Sequence, residues 1–182
     1  MPRKRSMKRH SVTQPDDKSI RLIPLTQGQN AIVDATDFEW LSNWNWTAWW
    51  NPETECFYAV RNEKHKMIKM HRQILDAQAG DIVDHKNTNS LCNQRDNLRK
   101  CTKSQNGCNR GKASHNTSGL KGVSWEKSRN KWQAHVTFNG KNHFLGRFNS
   151  KEEAAATYDE TAKRLHGEFA RTNHELMPRT RA

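Results

Sequence analysis

Asp84, His85, Asn97 and Asn106 place a carboxylate, an imidazole and two carboxamides within the polar run 82–106. Asn97 lies 12 residues after His85, and Asn106 lies 21 after it. Gathered around one divalent cation, side chains of these types are equipped to cut a phosphodiester. That reaction needs an activated water, a shield for charge on the phosphoryl oxygens, and help for the departing 3′ oxygen. A neutral imidazole with a pKa near ~6.5 can take the proton from water at cellular pH. A hard cation serves the other two needs. Two protein oxygens are few ligands, but Mg²⁺ completes its shell with waters and substrate phosphate. The plainer reading of the same four residues is an Asn-rich loop held by side-chain hydrogen bonds.

The elements that must position them follow from local signals. Leu98–Cys101 reads as a strand. Thr102 followed by Gln105 forms a capping box, which starts a helix with Asn106 near its first turn. The order is strand, loop, strand, helix, a ββα unit over about 80–110. Adjacent strand residues point to opposite faces, so Asp84 and His85 can share a site only where the strand ends or bulges.

Upstream, residues 20–75 read mainly as short strands. Ile20–Leu25 and Ala31–Asp34 flank a Thr26-Gln27-Gly28 turn. Thr36 and Glu39 make a capping box that opens a short helix. Trp44-Asn45-Trp46 alternates as a strand does, and Phe57–Arg61 and Met67–Met70 are further strands. The clustered tryptophans read as core, with stacking on bases as the alternative. Arg95, Arg99 and Lys103 are candidate phosphate contacts, or else a solvated charged face. For His71 two roles stand: a phosphate contact, or a brace for the site.

Residues 119–173 carry β-β-β-α signals. Leu120–Trp125 is the first strand. Lys131–Phe138 alternates strictly, with Trp132, Ala134, Val136 and Phe138 on one face and Lys131, Gln133, His135 and Thr137 on the other. Asn139-Gly140 is a two-residue hairpin signal, since both positions need positive φ. Asn142–Phe148 returns, with Gly146 marking a bulge or a close helix contact. Ser150 and Glu153 cap a helix that runs to about His166 and stops at Gly167. Its buried stripe is Ala155, Tyr158, Ala162 and Leu165.

The chain of 182 residues has a formal charge of +12 and only 33% hydrophobic residues. The excess charge is spread along the sequence, which fits a long footprint on a polyanion better than a mere solubility charge. No segment approaches the ~20 apolar residues of a membrane span. The basic N-terminus lacks the apolar core of a secretory signal and reads as a phosphate-binding arm or a plain disordered one. Cys56, Cys92, Cys101 and Cys108 form no C-x-x-C pair, so reduced thiols are expected and zinc is not.

On these residues the segment 84–106 resembles the HNH endonuclease family, in the H-N-N variant of phage and intron-borne nicking enzymes. The resemblance implies Asp84 and Asn106 as metal ligands, His85 as general base, and Asn97 as the residue that holds the loop and orients the histidine. Many members end the motif in His; here Asn106 stands there. Its neutral oxygen suits Mg²⁺ or Mn²⁺ better than zinc.

Residues 118–173 resemble the plant ethylene-response-factor (AP2/ERF) DNA-binding domain. The match runs through Ser118-Gly119-Leu120-Lys121-Gly122-Val123, Lys131-Trp132, Leu145-Gly146-Arg147-Phe148, residues 152–159 and His166-Gly167-Glu168-Phe169-Ala170. It implies a three-stranded sheet in the DNA major groove, backed by one helix. Gln133, His135 and Thr137 would face DNA, joined by Lys121, Ser124, Phe144 and Arg147. Plant members place arginines at the positions of Ser124 and Thr137 and an acid at that of His135. Arginine is the usual reader of guanine, so the plant target sequence does not transfer.

The expectation is an α+β chain. It has a basic arm at 1–19, an HNH nuclease domain at 20–112, a linker at 113–117, an AP2/ERF-like domain at 118–174 and a tail at 175–182. Its expected function is metal-dependent hydrolysis of double-stranded DNA, mainly nicking by a monomer with one site unless two copies assemble, leaving 5′-phosphate and 3′-hydroxyl ends. No membrane and no organic cofactor are expected, and the setting is the cytoplasm of a bacterial or phage-infected cell. The alternatives are a DNA-binding regulator with a vestigial nuclease fold, or an RNA substrate.

Overall fold

The computed structural model describes residues 10–113 and 115–176. The first part of the expected arm, 1–9, and the tail from 177 on lie outside the described residues. Mixed α and β structure is present throughout, with small antiparallel sheets and few helices. The chain divides into two compact units, Met1–Cys101 and Thr102–Ala182.

In the first unit, β1 (Ile20–Pro24) pairs with β2 (Asn30–Asp34), with Ile23 opposite Ala31. Gln27 and Gly28 turn the chain between them with φ of 57° and 69°. Helix α1 (Ala35–Ser42) follows directly. A three-stranded meander then forms from β3 (Thr47–Asn51), β4 (Cys56–Glu63) and β5 (Lys66–Lys69). Helix α2 (Met70–Ile74) leads to β6 (Ile82–His85), which pairs antiparallel with β7 (Leu98–Cys101). One core draws on all of these elements except β5 and is built from residues that include Ile23, Leu25, Val33, Leu41, Trp46, Met70 and Leu98.

Two sequence expectations fail here for physical reasons. Trp44-Asn45-Trp46 is a loop, not a strand. Trp46 is fully buried and its Nε1 donates to Leu41 O at 2.8 Å, so the alternation of tryptophans reflects packing against the end of α1 rather than a pleat. Thr36 does not cap α1, because the helix already begins at Ala35, with Asp34 as N-cap residue. The Asp34 carboxylate is engaged elsewhere, accepting from Gln94 Nε2 and from Arg95 N.

The second unit opens with α3 (Lys103–Cys108), where the Thr102–Gln105 capping box forms in both directions. Strands β8 (Val123–Glu126), β9 (Lys131–Phe138) and β10 (Lys141–Phe148) make one antiparallel sheet in the order β10-β9-β8. Asn139 and Gly140 turn β9 into β10 with φ of 50° and 74°, the left-handed pair that a tight hairpin needs. A register shift between Phe144 and Gly146 marks the bulge. Helix α4 (Lys151–His166) is capped by the Ser150 side chain, which accepts from Glu153 N. It lays Ala154, Ala155, Tyr158 and Ala162 on the sheet against Leu120, Val123, Ala134 and Val136. The short α5 (Asn173–Leu176) closes the described chain.

The first strand of this sheet starts later than the sequence suggested, at Val123 rather than Leu120. Gly122 turns there at φ 73°, and a Cβ on it would lie 2.1 Å from the Tyr158 ring. The turn is therefore pressed against α4 where a strand residue would collide.

Candidate functional site

Asp84 and His85 are the last two residues of β6. β6 stops at His85, and the chain then turns, with Thr88 N donating to His85 O. Both side chains are buried, at 7% and 6% exposure. Within the β6–β7 ladder Asp84 stands opposite Arg99 and His85 opposite Leu98. Arg99 donates to Asp84 Oδ2 from Nε at 3.0 Å and from Nη2 at 2.8 Å.

Asn97, in a 3₁₀ turn just ahead of β7, holds the connecting loop from inside. Its Oδ1 accepts from Asn87 N at 3.0 Å, and its Nδ2 donates to Cys92 O at 2.7 Å. The same loop is stitched to the β1–β2 layer, since Ile32 N donates to Leu91 O and Asn93 N donates to Ile32 O. A polar, Asn-rich stretch is thus ordered by hydrogen bonds rather than by apolar burial.

His85 sits in an aromatic cluster. The His71 ring lies 5.0 Å away, edge to face, and Tyr58 lies 6.3 Å from His85 and 5.6 Å from His71. Burial drives the His85 pKa down to about 4, against the upward pull of the Asn93 carboxamide and of Asp84. Burial lowers His71 further, to about 2, helped by repulsion from His85, Lys69 and Arg72. Both imidazoles are neutral at cellular pH. His71 Nδ1 is buried and has no hydrogen-bond partner. The ring is 5% exposed and packs edge to face on His85.

Asn106 is half-buried on α3, within the second unit. Among the described residues no group of three or more His, Cys, Asp or Glu is gathered as a metal site. The expected pair contains an asparagine, which such a grouping does not include.

In the second unit, register places six expected DNA contacts on one face of the sheet. Ser124, Gln133 and Arg147 form one cross-strand row, and His135 stands opposite Phe144. Thr137 continues the row opposite Asn142. Phe144 is 49% exposed, with the His135 ring at 5.3 Å and the Arg147 guanidinium at 4.8 Å over its ring.

A family model described as HNH endonuclease matches residues 77–108, and one described as AP2 domain matches residues 118–168. Protein 3.8 of Escherichia phage T7 is 39% identical over 114 residues, which cover 59% of this chain and 92% of that protein. The chain carries an HNH endonuclease domain and an AP2 domain and is a relative of that phage protein. The uncharacterized HNH endonuclease L560 of Acanthamoeba polyphaga mimivirus is 37% identical over 91 residues, 50% of this chain and 46% of that one. No solved structure matches. These findings support a nuclease, and the pair of domains suggests DNA binding.

Three of the cations expected at DNA have internal partners. Arg95 forks onto Asp37, with Nε and Nη2 each 2.8 Å from a carboxylate oxygen, and so ties the loop to α1. Arg99 is engaged with Asp84. The Lys121 ammonium donates to Cys108 O at 2.6 Å and to Arg110 O at 2.7 Å. Lys103 remains exposed at the start of α3.

Sequence reasoning missed Asn93, Tyr58 and Glu126. Asn93 is fully buried and acts on His85, yet it is one asparagine among many in its stretch. Tyr58 showed only as a strand residue. Glu126 lies on the same face of the sheet as Ser124 and Arg147, and its carboxylate accepts from Arg147 Nε and Arg129 Nη1, each at 2.5 Å. Strand alternation from Ser124 could have found it.

No described helix is long and apolar enough to cross a membrane.

Proposed function

We propose that this protein is a metal-dependent DNA endonuclease that cuts one strand of a duplex held by its C-terminal sheet. The observation that carries the reading is a neutral, buried His85 beside Asp84 at the end of β6, inside the segment that matches the HNH family.

Asp84 and Asn106 would hold one Mg²⁺ or Mn²⁺. The donor chemistry fits, since a carboxylate and a carboxamide oxygen are hard ligands suited to these ions rather than to zinc. A carboxylate offers about four acceptor positions, so the Arg99 fork and ligation by Asp84 are compatible. The bound cation supplies charge stabilisation at the scissile phosphate and at the leaving oxygen. His85 takes the proton from the attacking water, and because its imidazole is already neutral, no proton must first be shed. His71 and Tyr58 wall the imidazole and keep water from competing for it. Asn97 fixes the loop that follows His85, and with it the ring's setting. Gln133, His135, Thr137, Ser124, Phe144 and Arg147 would meet the duplex, with Lys103 as a further phosphate contact.

The test is nicking of supercoiled plasmid in Mg²⁺. His85→Ala should lose roughly 10²-fold or more of the rate while a gel shift shows unchanged DNA binding. Equal activity would reject His85 as the base. Binding by the wild type without cleavage in any divalent ion would assign the chain as a DNA-binding regulator instead. A competition assay with RNA decides the substrate class.

A further inference from the structure

Lys121 is held at both ends of its side chain. Its backbone N donates to Asn173 Oδ1 at 2.6 Å, and its carbonyl accepts from Asn173 Nδ2 at 3.1 Å. Asn173 is 3% exposed and is itself pinned to α4, where Asp159 Oδ1 accepts from its N at 2.7 Å and from its Nδ2 at 3.0 Å. The next residue, Gly122, is pressed on Tyr158 of the same helix. The base of the lysine is therefore fixed to the body of the AP2 fold.

The other end reaches α3. A helix leaves its last carbonyls without intrahelical partners. Here Asn109 N and Arg110 N serve Gln105 O and Gly107 O, and the Lys121 ammonium takes Cys108 O together with Arg110 O just beyond. A cation at a helix C-terminus also opposes the negative end of the helix dipole. A second contact joins the same helix to α4: Cys108 Sγ lies 3.3 Å from His166 Nδ1. Burial raises the Cys108 pKa, and the same thiol lies 3.2 Å from Ser104 O within α3. An unbroken chain of hydrogen bonds thus runs from Asp159 through Asn173 and Lys121 to the end of the six-residue helix that carries Asn106.

We propose that Lys121 is a positioning residue: it fixes the helix bearing Asn106 to the DNA-binding sheet and so sets where that side chain stands. The proposal rests on the reading of Asn106 as a metal ligand. It departs from the expectation that Lys121 contacts phosphate, because an ammonium already donating to two carbonyls is poorly placed to serve the duplex. It also gives the two family segments a mechanical connection. The helix that supplies one ligand is built into the domain that grips DNA.

The experiment uses Lys121→Met, which keeps the alkyl stem and removes the charge. Plasmid nicking is measured against Mg²⁺ concentration, and DNA affinity by gel shift in EDTA. The half-saturating Mg²⁺ should rise about tenfold or more, the rate should recover at high Mg²⁺, and the affinity in EDTA should be unchanged. Lys121→Arg, which retains donors for both carbonyls, should restore the wild-type Mg²⁺ requirement. A folded methionine variant with unaltered Mg²⁺ dependence overturns the proposal. So does a fall in EDTA affinity with no change in Mg²⁺ dependence, which would return Lys121 to the phosphate contacts. Amide exchange over residues 103–110 gives a readout independent of catalysis, and it should quicken in Lys121→Met. Asn106→Ala serves as the control for the underlying reading. If that variant nicks normally, the ligand assignment fails, and the clamp then stands or falls on amide exchange. Should the methionine variant not fold, Lys121→Gln replaces it under the same criteria.

Discussion

Arg99 places two donors on one oxygen of Asp84, at 2.8 and 3.0 Å, and both side chains are about nine-tenths buried. A carboxylate withdrawn from water to this degree needs a partner, and the opposite strand supplies it through the Asp84–Arg99 register. The pair explains how an acid can stand at the end of a buried strand beside an imidazole that burial keeps neutral.

Arg99→Met should therefore destabilise the first unit by about 3 kcal/mol, because it strands a buried charge rather than removing one. Urea unfolding followed by circular dichroism measures this. A loss no larger than for an exposed arginine such as Arg129 would show that Asp84 does not depend on the pair.

Asn97→Ala removes one acceptor and one donor from the loop after His85, at Asn87 N and Cys92 O. Leaving those groups unmet should cost about 1–3 kcal/mol. Nicking should fall sharply, while gel-shift affinity stays near that of the wild type. Full nicking activity in the alanine variant would remove Asn97 from the machinery.

Chelation provides a third check. EDTA should abolish nicking and leave the gel shift intact, and adding back Mg²⁺ or Mn²⁺ should restore cleavage. Cleavage that persists in EDTA would sink the metal-dependent reading, whatever His85 does.

Glu126 gives a pH dependence with a definite sign. Hydrogen bonds from Arg147, then from Arg129, lower its pKa from 4.5 to about 2. A folded-state pKa below the unfolded one means stabilisation that is fully present above about pH 4.5 and is lost as the pH falls toward 2. The difference in melting temperature between wild type and Glu126→Gln should accordingly shrink across that window. A constant difference would show that the bonds to Arg147 and Arg129 do not persist in solution.

Much of this architecture was legible in the residues. The strict alternation of Lys131–Phe138, the Asn139-Gly140 turn and the Thr102–Gln105 capping box are local signals, and each element formed where its signal lay. The strand at Leu98–Cys101 was legible too, and it pairs with β6, which ends at His85. What escaped was set by distant partners. Nothing near Arg95 announces Asp37, 58 residues earlier. Charged residues were read as facing solvent or phosphate because a sequence shows the charge and not its counterpart. The structure supplied a carboxylate for Arg95 and for Arg99, and two carbonyls for Lys121.

The carbonyls that hold Lys121 belong to residues 108 and 110, ahead of the segment that matches the AP2 domain. A cut at residue 118 would part the Lys121 ammonium from both of its carbonyl partners and leave the short helix without its tether. The transferable cassette begins at Thr102, so exchange of parts between such proteins must carry the end of one module inside the other.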